Sequence, residues 1–415
     1  MLLDPLVLLG LALYAPFVVA AVALFWRADP WRQRWTLAAL VVAGAISAWR
    51  FDSTPAGIEN DSRVLMSYLP VTGFVALWTA YRTFAGQGWN VLPWWVFNVA
   101  TGTYYGERVV GLLWHATLIL AAGALVPRRG VPLALAFAAT SPAVLWLSRN
   151  SLGVEILVQQ LYLMIALDAL RGREDLPHWN PKTTAVVAGL CLGALQYTYI
   201  ASRLALVYPA LWLWRTPRRA CAVYMVAVIC MLPMAFADWA HWEDPRVQSV
   251  YARHTWDWQS ADHLPWAEAR RTVVSVLWND AAAQRAMTYC FGGAQTLAPT
   301  TLPLMVTGVF LGGAWPYLPA WGAGLLPDIV GSKGGGRSHR VIMIVVPTVL
   351  LLAQAGRAGP PWLVALAAGV IGIDNIRQWV HLWNEHHREG RHGYPEASLL
   401  ACATDPPPEW CRWSQ

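Results

Sequence analysis

The chain has 415 residues, of which 56% are hydrophobic and only 13% are charged. Because soluble globular proteins carry about 25% charged residues, this composition excludes an ordinary soluble domain and indicates a membrane protein. The formal net charge of +6 suits anionic lipid headgroups or phosphate-bearing substrates, or reflects the positive-inside bias alone. No basic tract or nucleic-acid-binding module is present, so nucleic acid is excluded as a partner.

Apolar stretches recur along the whole chain at lengths close to the roughly 20 residues that a spanning helix needs. They predict an all-α polytopic membrane protein with about 12 transmembrane helices. The first stretch lacks the basic region and cleavage site of a signal peptide, so we interpret it as a helix. The predicted spans are 3–25, 35–50, 107–126, 131–147, 152–170, 183–201, 203–214, 220–238, 297–314, 317–330, 340–356 and 359–379.

Basic residues predict the orientation of these spans. Arginines and lysines follow the first, third, fifth and seventh spans, and all these turns can be cytoplasmic if the Trp-rich segment 91–104 lies at the interface instead of crossing. The first outer loop, 51–106, therefore contains interfacial helices. The outer face then also receives residues 148–150, 197–203, 239–296 and 331–340 and the C-terminal tail.

The chain is predicted to form one transmembrane domain, 1–380, with outer loops 51–106 and 239–296, followed by a polar tail, 381–415. Three cysteines, Cys191, Cys221 and Cys230, fall inside apolar spans and are predicted to be core residues. A disulfide between Cys402 and Cys411 in the tail is feasible if the tail is extracytoplasmic.

Few acidic residues fall within the spans, and those that do lie near predicted span ends: Glu155, Asp168, Asp328 and Asp374. An ion-coupled transporter places ionisable groups at midspan and often contains inverted repeats. Neither feature is evident in the sequence, which argues against a transporter.

A polar loop after the second span contains Pro55-Ala-Gly-Ile-Glu-Asn-Asp61. Ser141-Pro142 before Ser148-Arg149, the segment Tyr197 to Arg203, and the Gly-rich stretch 334–340 follow in order. Together these residues resemble the GT-C fold glycosyltransferases that use polyprenyl-phosphate sugars, especially the bacterial branch similar to protein O-mannosyltransferases and aminoarabinose transferases. The sequence departs from that pattern at Ser62 and Asn90, where the family usually has acidic residues.

The resemblance implies that Asp61 is the catalytic base and that Glu59 is a substitute carboxylate from the same loop. A carboxylate beside a membrane is partly desolvated, which would strengthen it as a base. The alternative is that Asp61 only caps a helix starting near Ser62.

The resemblance also implies a positive pocket for the lipid phosphate on the outer face. Arginine suits bidentate contact with phosphate, and consecutive glycines let backbone N–H groups approach an anion. Each arginine could instead be an interfacial anchor. The predicted substrate-binding residues are Arg149, Tyr197, Tyr199, Arg203, Lys333, Arg337, His339 and Arg340.

The implied activity is inverting transfer of a sugar from a polyprenyl-phosphate donor to a protein, lipid or glycan acceptor. The enzyme would reside in a bacterial inner or plasma membrane with its active site on the outer face. No cofactor is expected, and no tightly bound metal, since the acidic set around Ser62 and Asn90 is depleted. The alternatives are a catalytically silent lipid-binding relative, a scaffold in cell-envelope glycan assembly, and a lipid or solute transporter.

Overall fold

The computed structural model describes residues 18–49, 106–148, 163–167, 169–170, 181–196, 200–213, 216–240, 243, 269–270, 273–274, 276, 297–331 and 342–389. Within these residues the regular secondary structure is helical and no strand occurs, which confirms the all-α prediction.

Most of the helices overlap predicted spans, since the apolar stretches are also the helical ones, but the predicted span 203–214 is a 3₁₀ turn followed by a helix of only 6 residues. Besides helical residues at 163–167, 169–170 and within 269–276, the helices in chain order are α1 (Val18–Arg27), α2 (Pro30–Ala48), α3 (Gly106–Leu125), α4 (Val131–Thr140), α5 (Pro142–Leu147), α6 (Pro181–Leu195), α7 (Tyr208–Leu213), α8 (Pro217–Ala240), α9 (Thr301–Phe310), α10 (Leu318–Gly331), α11 (Val345–Ala358) and α12 (Pro361–Glu389). Shorter 3₁₀ turns occupy Arg128–Gly130, Ile200–Val207, Trp315–Tyr317 and Ile342–Ile344.

Helix α4 lies at the centre of the bundle. Every residue of α4 except Ala136 is buried, and α4 packs against α2, α3, α11 and α12. A helix that is apolar on all sides is expected in such a position. The predicted span 131–147 is not continuous, however, because Ser141 has an extended ψ of 120° and separates α4 from α5.

Glycines spaced four residues apart set two of the closest helix crossings. A Cβ on Gly189 would lie 2.6 Å from the Val226 Cβ, and a Cβ on Gly193 would lie 2.5 Å from the Cys230 Cβ, so α6 and α8 meet backbone to side chain. At the crossing of α9 and α11, Gly308 faces the Leu351 carbonyl. Small residues at this spacing are typical of membrane helix interfaces, where backbones approach closely.

Two of the described helices are long and apolar enough to cross a membrane. The segment Arg108–Leu125 is 72% buried inside the bundle, whereas Pro361–His381 is only 28% buried. The predicted count of about twelve spans is not confirmed by these two.

Exposed apolar side chains cover the outside of α8 and α12. On α8 they include Met225, Val228 and Leu232, and the exposed Cys221 lies one turn before Met225. The prediction that Cys221 is a core residue is therefore wrong, because Cys221 belongs to the outward stripe of α8. Cys191 is buried, as predicted.

We expect Gly308→Ala to destabilise the protein and Gly369→Ala to leave stability unchanged or raise it. The added methyl overlaps the Leu351 carbonyl in the first case and meets nothing within 4 Å in the second. Overpacking costs about 1–3 kcal/mol, whereas alanine is the better helix former by up to about 1 kcal/mol. Thermal unfolding in one detergent, followed by circular dichroism, measures both. Equal melting temperatures for the two variants would contradict the close crossing of α9 and α11.

Candidate functional site

Most of the predicted site residues lie outside the residues that the structure describes, so their placement stays a prediction. Arg203 falls within the 3₁₀ turn Ile200–Val207, but its side chain is outside the described set. The others outside it are Asp61, Glu59, Arg149, Tyr197, Tyr199, Lys333, Arg337, His339 and Arg340.

One end of the bundle is held by an arginine inside the fold. Asp29 caps α2 by accepting bonds from the backbone N–H groups of Trp31 and Arg32, and its carboxylate receives the Arg32 Nε at 3.1 Å. The Arg32 Nη1 donates to the carbonyls at the end of α3, Gly123 at 3.3 Å, Ala124 at 3.2 Å and Val126 at 2.6 Å. Arg32, predicted as a loop cation, therefore neutralises the negative C-terminus of α3.

Arg128 and the last turn of α11 also lie at the end of the bundle that contains Asp29 and Arg32. The Arg128 guanidinium lies 5.5 Å from the Trp31 ring centroid and 3.8 Å from Asp29. A Cβ on Gly356 would lie 3.0 Å from the Arg129 carbonyl, so the last turn of α11, which carries Arg357, ends beside this turn. We call this the basic end, defined by Asp29, Arg32, Arg128, Arg129 and Arg357.

Several chain segments meet at the opposite end. Gly111, in the second turn of α3, lies against the Ser148 carbonyl that follows α5. Helices α10 and α11 run antiparallel, because the Trp321 Nε1 donates to Thr348 at 3.2 Å and Gly324 packs on Met343 and Ile344. Since α11 ends at the basic end, α10 ends and α11 begins at the opposite one.

Arg108 lies one turn before Gly111 and is fully buried. Arginine is almost never fully buried unless it is paired. The sequence analysis assigned no role to Arg108. The start of α3 thus brings a positive charge to the opposite end of the bundle, close to Ser148 and to the position where Arg149 follows in the chain.

The break between α4 and α5 is stabilised by a histidine. Pro142 has no N–H, so it cannot donate to the Ala138 carbonyl four residues earlier. The His115 Nε2 lies 2.8 Å from that carbonyl oxygen, and since a carbonyl only accepts, Nε2 carries the proton. His115 is buried in α3 and supplies the bond that Pro142 removes.

A layer of polar side chains lies beside this break. The Asn375 Nδ2 of α12 donates to the Thr140 Oγ1 at 3.0 Å, and the Thr300 Oγ1 donates to the Asp374 carboxylate at 2.8 Å. Ser141 and Asn375 are fully buried. We call Thr140, Ser141, Thr300, Asp374 and Asn375 the polar layer.

The sequence analysis did not predict that the residues of the polar layer contact one another. Asp374 was placed near the end of a predicted span that stops at residue 379, but α12 continues to Glu389, so Asp374 lies near the middle of the helix. The apolar part of α12 that could cross a membrane, Pro361–His381, nearly coincides with the predicted span, so Asp374 keeps its place toward the end of that span. A usable signal was the Asp374-Asn375 pair opposite Ser141-Pro142, two polar interruptions in otherwise apolar helices.

No group of three or more histidine, cysteine or acidic side chains that could hold a metal ion occurs among the described residues. Comparison with protein-family models, with curated proteins and with solved structures gives no match for this chain.

We expect His115→Leu to lower the free energy of unfolding by about 1–3 kcal/mol, because it leaves the buried Ala138 carbonyl without a donor. His115→Gln, whose amide nitrogen can occupy the place of Nε2, is the matched control and is expected to restore much of the loss. Chemical or thermal unfolding of the purified variants measures the difference. If both variants lose the same amount, the packing of the ring, and not its bond to Ala138, stabilises the break.

Proposed function

We propose that this chain is an integral membrane glycosyltransferase of the GT-C fold. It transfers a sugar, with inversion, from a polyprenyl-phosphate donor to an acceptor on the outer face of a bacterial inner or plasma membrane. The observation that supports it best is the arrangement of chain ends. Ala48, Gly106, Ser148, Gly331 and Ile342 border the segments that contain the predicted site residues other than Tyr197, Tyr199 and Arg203, and all five lie at the end of the bundle opposite the basic end.

This arrangement matters because transfer from a lipid phosphate needs a base and a positive pocket in one place. Asp61 follows α2 in the chain, Arg149 follows Ser148, and Lys333, Arg337, His339 and Arg340 lie between α10 and α11. Segments that leave from one end of a bundle can converge, whereas segments from opposite ends cannot. Arg108, buried at that end, adds a positive charge to it.

The surface of the bundle supports membrane residence. Apolar side chains are exposed along α12, including Trp362, Leu366, Val370 and Ile373, and comparable stripes lie on α2 and α8. Monomeric soluble proteins rarely expose such continuous patches. We propose that lipid covers them and that about 12 helices span the bilayer, with the basic end on the cytoplasmic side.

The two alternative functions, a silent relative and a transporter, require different residues. A silent relative would bind polyprenyl lipid without transfer, which the missing acids at Ser62 and Asn90 favour. A transporter would use ionisable groups at midspan, and Asp374 is an acidic residue within the apolar segment Pro361–His381 of α12. Its bond from Thr300 at 2.8 Å gives it a partner within the bundle.

We expect membranes that contain the wild type to transfer labelled sugar from at least one donor of a polyprenyl-phosphate-sugar panel, and Asp61→Asn to abolish most of this transfer. General-base catalysis is typically worth about 10²–10⁴-fold in rate, so the loss should fall in that range. Glu59→Gln is the matched control and should retain most activity. Chelation of divalent ions should leave the rate unchanged.

The results of this assay distinguish the two candidate bases and the alternative functions. Transfer that survives Asp61→Asn but is lost in Glu59→Gln would move the base to Glu59. Lipid binding without transfer from any donor would contradict the enzyme and favour the silent relative. Uptake of a labelled solute into sealed vesicles that depends on Asp374 would favour the transporter.

A further inference from the structure

The basic end carries more positive than negative charge at its surface. Of the residues that define it, Asp29 is the one carboxylate, and it faces two guanidinium groups, the Arg32 Nε at 3.1 Å and the Arg128 Nε at 3.8 Å. The exposed arginines at this end and beside it in the chain are Arg27, Arg34, Arg128, Arg129 and Arg357. This excess of exposed positive charge attracts an anion.

The charge adjoins the apolar face of α12. Helix α12 contacts the turn Arg128–Gly130, and its apolar segment Pro361–His381, which is long enough to cross a membrane, begins at this end. Trp362 in the first turn of that segment is 69% exposed, and Leu366 and Val370 continue the exposed face along the helix. A ligand at the basic end therefore meets positive charge and apolar surface together.

Two more exposed tryptophans lie at the same end. Trp26, 71% exposed, is held beside the start of α2, because its carbonyl accepts from the Gln33 amide at 3.3 Å. Trp315, 53% exposed, follows α9, where Gly312 packs on the Gln354 carbonyl near the end of α11. Exposed tryptophan is typical of the membrane–water interface, which indicates that the basic end lies at the level of the lipid headgroups.

The length of α2 agrees with this level. At 1.5 Å of rise per residue, the helix from Trp31 to Trp49 is about 27 Å long, close to the hydrocarbon thickness of roughly 30 Å. Between Leu37 and Ala48 every exposed residue of α2 is apolar. Trp31 would therefore lie at one interface, beside the basic end, and Trp49 at the other.

Arg128 is oriented by a contact that leaves its N–H groups available. The guanidinium lies 5.5 Å from the centroid of the Trp31 ring, and a cation–π contact of this kind uses no hydrogen bond. The Asp29 oxygen, 3.8 Å from Nε, is beyond hydrogen-bond distance. The Arg128 side chain is 63% exposed, and its planar fork of donors matches a phosphate bidentately.

We propose that the basic end binds the phosphate of an anionic phospholipid headgroup, with Arg128 and Arg129 as the donors and the acyl chains along the exposed face of α12. A lipid fits better than a soluble anion, because the charged and the apolar surface adjoin here. This proposal rests on the proposed membrane residence and does not require sugar transfer.

The test titrates the full-length protein in a nonionic detergent with phosphatidylglycerol and follows the apparent melting temperature. Phosphatidylcholine, which has no net charge, is the lipid control, and glycerol phosphate is the soluble control. We expect phosphatidylglycerol to raise the melting temperature of the wild type more than either control does. Arg128→Gln and Arg129→Gln should each raise the lipid concentration at half-maximal effect by about fivefold, the contribution of one arginine at an anionic membrane surface.

Arg377→Gln is the matched control, since Arg377 is an exposed arginine on α12 about 24 Å along the helix from Pro361. It should leave the half-maximal concentration unchanged. Arg129→Gln keeps the contact between Arg128 and Trp31, so its effect is separate from any loss of stability that Arg128→Gln causes. A change in the lipid titration that is equal in all three variants would overturn the site in favour of diffuse attraction.

Other results also decide it. Equal stabilisation by phosphatidylglycerol and phosphatidylcholine would overturn the role of charge, and stabilisation by glycerol phosphate alone would overturn the lipid in favour of a free anion. The predicted lipid effect without sugar transfer from any donor would keep this site and reject the transferase. Sugar transfer without any effect of phosphatidylglycerol would keep the transferase and reject this site.

Discussion

The structure depends on one constraint, the need of buried polar groups for partners where no water reaches them. In an apolar bundle each unsatisfied backbone group costs as much as a lost hydrogen bond. Helix α4, buried on nearly all sides, has no access to solvent at its interruption. The histidine of α3 that donates to the Ala138 carbonyl supplies the bond that Pro142 cannot make, and it joins α3 to the last turn of α4.

The same constraint explains why the two ends of the bundle differ. At the basic end the last carbonyls of α3 are satisfied by Arg32, whose charge is balanced by Asp29. Arginine suits this role because its fork of donors serves several acceptors at once. The ends of the helices are closed there by short turns. At the opposite end lie Ala48, Gly106, Ser148, Gly331 and Ile342, where the described helices stop or start without such short turns between them.

Sequence alone predicted the helical class and most helix positions, since apolar runs are a local property. It did not predict how polar residues inside those runs are used. Arg32 falls between the predicted spans 3–25 and 35–50 and was therefore assigned to a loop, yet Asp29 and Pro30 begin α2 before it. The predicted span that contains Asp374 stops at residue 379, whereas the helix itself continues through polar residues to Glu389. Partners such as Thr140, which is 235 residues from Asn375, follow from tertiary packing and leave no local trace.

The glycine crossings bear on whether such a bundle moves or stays still. Secondary transporters work by rocking one part of the bundle against another, which requires interfaces that can slide. Gly308 and Gly312 lie directly on the backbone of α11 at Leu351 and Gln354, and Gly130 lies on the same helix at Ala353. Interfaces in which the backbone of one helix fills the space of a missing side chain resist sliding, because any shift brings atoms into overlap. Helix α11 is packed in this way against α9 and against Gly130. It connects the segment that contains Lys333 to Arg340, predicted to bind the lipid phosphate, to the basic end. A fixed α11 suits an enzyme that must hold a cationic loop in register with a base on another segment, and this favours the transferase over the transporter.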